Sequence, residues 1–255
     1  MSGFVYPKAG PVRWIGSILF VVWMFGLAIV MGILCLPLLL GARRPALEAI
    51  RLWMRGVLAG LAFTAGLEVE VRGRENLPEG ACLIAAKHQG MLDILPPFTY
   101  LDDPAFVLKQ SLMSIPIFGW FAGKAGMIPI DREGAAKTMR TMLNAASEAT
   151  SEGRQVIIFP EGTRKAPGEA PDYQPGVAGL YRELNVPCVP VATNSGRFWP
   201  AGGLLKYPGR AVFEILPPIP PGLKRAEFMR RLQADIEAAS ARLLSESYER
   251  VHSGQ

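Results

Sequence analysis

The sequence predicts an α/β fold: a mixed, mostly parallel sheet of about seven strands flanked by helices, preceded by an N-terminal membrane-embedded helical segment. Three observations carry this. From residue 67 onward, short β-type runs alternate with helical stretches, the pattern of a sheet covered on both faces. Residues 14–42 contain no charged side chain. Half of the 255 residues are hydrophobic and only 19% are charged, which excludes a disordered or collagen-like chain.

Taken in order, the charge-free segment comes first. As a helix its 29 residues would run roughly 43 Å, against a hydrocarbon core of about 30 Å. Gly26, Gly32 and Pro37 offer places to bend, so one tilted span and a hairpin dipping into a single leaflet both fit. A secretory signal has a shorter apolar region, about 7–15 residues. Residues 1–60 hold six basic side chains (Lys8, Arg13, Arg43, Arg44, Arg51, Arg55) against Glu48 alone. The rest of the chain balances at 21 basic and 21 acidic residues. The net charge of +5 is therefore a membrane-flank charge, not a nucleic-acid footprint, and it places the main domain on the cytoplasmic side. In 44–66, Arg44, Glu48, Arg51 and Arg55 share one helical face and Leu47, Ile50, Met54, Val57, Leu58 and Leu61 the other. That apolar face meets either lipid or the sheet. Residues 1–66 form a membrane module, and 67–255 the main domain.

Strands are predicted at 67–72, 81–86, 105–109, 127–131, 154–159, 187–192 and 211–216, with a helix over 134–152. A stiff Pro-rich connector (216–221) leads to an amphipathic helix over 224–248, read as packing. Cys35, Cys82 and Cys188 are too few and too scattered for a disulfide framework or a zinc site.

No G-x-S-x-G elbow, Walker A loop, G-x-G-x-x-G or H-E-x-x-H is present. His252 lies in a polar tail read as unstructured, so imidazole chemistry falls to His88. His88 follows the run 81–86, and Asp93 lies five residues on, near the start of a helix. A carboxylate there can hold one ring nitrogen and leave the other to accept a proton; a capping Asp beside an exposed His has the same spacing. Lys109, Arg132 and Arg164 also stand at or just beyond predicted strand ends, where α/β sites gather. Three cations near a His–Asp pair suit an anionic, phosphorylated substrate with a reactive hydroxyl.

His88-x-x-x-x-Asp93, Ile128-Pro129-Ile130-Asp131-Arg132, Phe159-Pro160-Glu161-Gly162-Thr163-Arg164 and Val186-Pro187-Cys188-Val189-Pro190-Val191 resemble, in order and spacing, the four blocks of the glycerolipid acyltransferases. The similarity runs over about 67–216 and is greatest to the 1-acyl-sn-glycerol-3-phosphate (lysophosphatidic acid) acyltransferases of bacterial membranes. The resemblance implies transfer of a fatty acyl group to the 2-hydroxyl of lysophosphatidic acid, giving phosphatidic acid. The co-substrate would be an acyl-CoA or acyl carrier protein thioester, with no cofactor and no metal. It also implies a bacterial inner-membrane location with the catalytic domain facing the cytoplasm, membrane lipid as partner and no nucleic acid. His88 would be the general base and Asp93 its orienting partner. Arg132, Glu161, Gly162, Thr163 and Arg164 would position the glycerol phosphate, with Lys109 a further contributor. Two positions depart from the family pattern: Gly90 stands where Ser or Thr is common, and Gln174 where Lys is frequent. Other readings are an acyltransferase for another lysolipid such as lyso-ornithine lipid, a non-catalytic lipid-binding membrane protein and a thioester hydrolase.

Overall fold

The computed structural model describes residues 6–131 and 135–253. Helices α1 (Pro11–Leu34) and α2 (Arg43–Ala65) come first, joined by a 3-10 turn at Leu36–Leu40. Then follow β1 (Leu67–Arg72), β2 (Cys82–Ala86), α3 (Pro97–Tyr100), β3 (Pro104–Lys109), α4 (Phe118–Lys124) and β4 (Ile128–Ile130). The second half holds α5 (Ala135–Ser151), β5 (Gln155–Ile158), α6 (Gly176–Leu184), β6 (Cys188–Thr193), β7 (Gly209–Ile215) and α7 (Arg225–Ser253).

The seven strands form one sheet in the order β1-β7-β6-β2-β5-β3-β4, parallel throughout except for the β6–β7 pair. Every residue of β2 and β6 is buried, as expected of central strands covered on both faces. Alternation sorts the side chains between two layers. Ile84, Phe106, Ile157, Val189 and Phe213 face a core closed by α1, α2 and the segment around Leu92–Phe98. Leu83, Ala105, Val107, Val156 and Cys188 face α5, α6 and α7. Cys82 and Cys188 are free thiols without exposed surface, and burial pushes the Cys82 thiol up to about 12.

The two readings of α2 resolve in favour of the sheet. Ala46, Leu47, Met54, Val57 and Leu61 are buried, and Arg43 and Arg51 face partners in the main domain. Arg51 donates to the Leu101 carbonyl (2.7 Å) and to the Asp102 carbonyl. Arg43 makes a bidentate contact with Asp103 (2.7 and 2.6 Å), and Arg154 reaches the same carboxylate at 3.2 Å. Sequence periodicity shows that such a helix has an apolar face but not what covers it.

Helix α1 lies lengthwise on this assembly. Phe20 packs edge-on against Trp199 (5.2 Å between centroids), the Trp23 indole N–H donates to the Gly56 carbonyl (2.9 Å), and the Ser17 hydroxyl accepts the Lys206 amide (2.9 Å). Its other face exposes Ile15, Ile18, Leu19, Val22, Phe25, Ile29 and Ile33. At the opposite end of the chain, α7 continues to Ser253 and takes in His252, which the composition of the tail assigns to no element. The Arg242–Glu246 pair, one helical turn apart at 2.6 Å, supports that extension.

The Asp103 cluster ties α2 to the sheet and makes stability depend on pH. Burial pushes its carboxyl up, but the bonds and charges of Arg43 and Arg154 outweigh this and leave it below the usual range. A depressed native value stabilises the fold above the unfolded Asp value, about 3.9, and the contribution fades as pH falls through the native value. Asp103→Asn is expected to cost about 1–3 kcal/mol at pH 7, with the deficit shrinking below about pH 4. Denaturant unfolding in detergent at both pH values checks this.

Candidate active site

The apolar strand β2 ends at Ala86 and delivers Lys87 and His88 to the C-terminal edge of the sheet, between β5 and β6. The chain then turns, and a single 3-10 turn (Met91–Ile94) brings Asp93 back towards the strand end. Asp93 is 2% exposed, and its Oδ2 accepts the amides of Gln89 (2.6 Å) and Gly90 (2.8 Å) and lies 3.0 Å from His88 Nδ1. Against a carboxylate, Nδ1 carries the proton and donates it, so Nε2 is left as a lone-pair acceptor. The Phe159 ring stacks on the imidazole (4.0 Å between centroids, 15° between planes) and fixes the ring plane. The side chain of His88 keeps 13% of its surface, an opening through which a proton can be taken up.

The loop after β5 grips the same residue from the other side. Glu161 Oε2 accepts the His88 amide at 3.3 Å, and the Lys165 amide donates to the His88 carbonyl at 2.8 Å. Between them Gly162 has φ +65°, a left-handed conformation that glycine takes without strain. This turn projects Thr163 and Arg164 to solvent beside His88, with Arg164 3.3 Å from the Ala201 carbonyl.

Behind the dyad lies a buried ionic chain. Lys87, 3% exposed, sits between Glu161 and Glu237 at 2.7 Å from each, and Tyr173 donates to Glu237 at 3.0 Å. Burial pushes the Glu161 carboxyl above the ordinary range, and the Lys87 ammonium opposes that push. Burial, and then the charge of Glu237, also raise the Tyr173 phenol. Among the described residues no group of three or more His, Cys, Asp or Glu side chains is arranged to hold a metal ion.

A dyad with a free Nε2 can act as a base towards a hydroxyl supplied from outside, so this arrangement does not require a nucleophile of the protein itself. In agreement with that arrangement, the family model described as Acyltransferase matches residues 68–194, which include every site residue described so far except Glu237. Residues 68–194 thus form a domain of the acyltransferase family. A 1-acyl-sn-glycerol-3-phosphate acyltransferase of Pseudomonas aeruginosa is 34% identical over 157 residues, 62% of this chain and 61% of that protein. A chloroplastic 1-acyl-sn-glycerol-3-phosphate acyltransferase of Brassica napus is 27% identical over 58% of this chain and 44% of its own length. The chain thus spans less than two thirds of the length of these relatives. The crystal structure of the 1-acyl-sn-glycerophosphate (LPA) acyltransferase PlsC from Thermotoga maritima superposes with a TM-score of 0.70 at 21% identity, covering 89% of this chain and 94% of that one, and shows the same fold.

Within the acyltransferase domain the expected site residues divide into four groups. His88, Asp93, Gly162, Thr163 and Arg164 gather at one mouth. Lys109 is exposed at the end of β3, on the same edge but two strands from β2, roughly 10 Å away at normal strand spacing. Arg132 lies outside the described residues. Glu161 is at the mouth by sequence, yet its carboxylate turns inward to Lys87 and the His88 amide. Lys87, Phe159 and Glu237, together with Ser195, whose hydroxyl donates to Asp93 Oδ1, take part although sequence reasoning assigned none of them a role. Lys87 directly precedes the His88 block and Phe159 opens the block that holds Glu161, whereas Glu237 sits in a helix read as packing and could not have been placed without the fold.

Removing Lys87 would leave Glu161 as an uncompensated buried charge. Lys87→Met is expected to lower unfolding stability by about 3–5 kcal/mol, whereas Lys87→Met combined with Glu161→Gln recovers part of the loss. A double-mutant cycle from denaturant melts in detergent measures both.

Proposed function

We propose that this chain transfers a fatty acyl group from an acyl thioester, carried by acyl carrier protein or coenzyme A, to the 2-hydroxyl of lysophosphatidic acid, forming phosphatidic acid. The observation that carries the proposal is the His88–Asp93 dyad, whose free Nε2 stands at the sheet edge, with exposed Arg164 in the loop that bonds the His88 backbone. The relatives, 1-acyl-sn-glycerol-3-phosphate acyltransferases, suggest the acceptor.

In this reading His88 Nε2 takes the proton of the 2-hydroxyl as its oxygen attacks the thioester carbonyl. Asp93 stabilises the imidazolium that forms. Collapse of the tetrahedral intermediate breaks the C–S bond, and the proton passes from His88 to the departing thiolate. Arg164, with Thr163, Gly162, Lys109 and Arg132, receives the phosphate of the acceptor. Glu161 serves the site from behind, through the His88 amide and Lys87.

The assay uses detergent micelles with a long-chain acyl thioester and offers lysophosphatidic acid, other lysolipids or water. Acylation of lysophosphatidic acid is expected; acylation of another lysolipid alone, or hydrolysis alone, overturns the acceptor. His88→Ala is expected to lower kcat by about two to four powers of ten. Arg164→Ala should raise KM for lysophosphatidic acid about tenfold or more, with little effect on an uncharged acceptor. Equal effects on both would remove Arg164 from the phosphate site.

We further propose that residues 1–66 are the membrane module and 67–255 the catalytic one, at the cytoplasmic face of a bacterial inner membrane. What supports α1 lying within one leaflet, not across the bilayer, is that both its ends are engaged by the protein: Ser17 with Lys206, and Gly32 closely opposed by Ile117. Such a helix offers lipid one long face. Lys8→Cys in a Cys35→Ala background, labelled in sealed vesicles with an impermeant maleimide, should react from the same side as Gly202→Cys. Labelling from opposite sides would establish a crossing helix.

A further inference from the structure

The two oxygens of the buried Asp93 carboxylate are held differently. Oδ2 accepts the Gln89 and Gly90 amides and faces His88 Nδ1. Oδ1 accepts the hydroxyl of Ser195, which is 102 residues away in sequence and without exposed surface. Ser195 opens the 3-10 turn (Ser195–Arg197) that follows β6, the strand beside β2. That turn is itself fastened: the Ser195 amide donates to Thr193 Oγ1 (3.0 Å) and the Gly196 amide to Gln89 Oε1 (3.0 Å). A hydroxyl from within the His88 loop is sterically barred at position 90, because a Cβ there would lie 2.5 Å from the Trp199 carbonyl oxygen.

The geometry points to Ser195 as a positioning residue for the His88–Asp93 pair, a role that rests on the acyl-transfer reading of the site. Rotation of a carboxylate about its last torsion is soft, with broad minima. Backbone amides grip only Oδ2, and the charge-assisted Ser195 bond on Oδ1 fixes the carboxylate plane so that Oδ2 stays aligned with Nδ1. Without it the carboxylate turns, the imidazolium loses part of its stabilisation and the base becomes weaker. The other titratable groups around the pair are Lys87 with Glu161 and Glu237, Lys165 through its backbone, and Tyr100, whose phenol feels the Asp93 charge. All of them are retained when Ser195 is changed.

The test uses the full chain in detergent micelles with Ser195→Ala and Ser195→Thr. Acyl transfer to lysophosphatidic acid is followed against pH, and the His88 imidazole is titrated by NMR in a His252→Ala background, where it is the single histidine. Ser195→Ala is expected to lower kcat about ten- to hundred-fold, with KM for both substrates unchanged. The His88 titration and the acid limb of the rate profile should both move to lower pH, since the imidazolium is the form that loses support. Ser195→Thr keeps the hydroxyl and should restore both. A folded Ser195→Ala protein with wild-type kcat overturns the proposal. So does an activity loss that merely follows a lowered melting temperature while the His88 titration stays in place. If the wild type acylates no lysolipid but the His88 titration still falls in Ser195→Ala, the acyl-transfer reading fails and the positioning role stands.

Discussion

A carboxylate buried to 2% exposure at the edge of a sheet must have its oxygens satisfied, and the Asp93 side chain meets that demand with donors from two separate parts of the chain. Much of the local architecture follows. The loop after β2 has to curl tightly enough to point two successive amides at Oδ2, which places His88 Nδ1 on the same oxygen. The turn after β6 has to come close enough to present a hydroxyl to Oδ1, which brings the Trp199 carbonyl up against Gly90. Parallel pairing of β2 with β6 makes this possible, because it ends both strands on the same edge.

A second buried charge system backs the first. Lys87 and Glu161 are almost without solvent, and their mutual attraction offsets the cost of burial only because Glu237 and the His88 amide complete the network. The result is a histidine constrained on every side but one. Its amide and carbonyl are held by the loop after β5, its Nδ1 by Asp93 and its ring face by Phe159. Nε2 is the ring nitrogen left over, as the proposed mechanism requires. A general base gains from such restraint, since a ring held in one tautomer and one plane need not reorganise as the proton moves.

The N-terminal helices join this framework to an exposed apolar face. Phe20 and Met24 of α1 share one apolar cluster with α2 and the sheet, while the opposite face of α1 is a row of exposed aliphatic and aromatic side chains. The most apolar part of the chain is therefore also part of the core. That coupling could not be read from the charge-free stretch 14–42, because its hydropathy is the same whichever side meets protein. The same ambiguity attached to the helix at 44–66, where Arg43 and Arg51 prove to bind Asp103 and backbone carbonyls of the main domain.

Local and periodic features can be read from the residues alone: the seven strands, the apolar N-terminal segment, the loop that pairs His88 with Asp93, and the cations at or near strand ends. Each depends on residues close together in the chain, so spacing alone expresses it. Tertiary structure decided what depends on which strand lies beside which. It turned Glu161 inward to Lys87, brought Glu237 from a packing helix into the charge network, set Lys109 two strands from the dyad and placed Ser195 on Asp93. A hydrogen bond bridging 102 residues leaves no periodic trace in a sequence, because the geometry that makes it exists only once β6 has paired with β2.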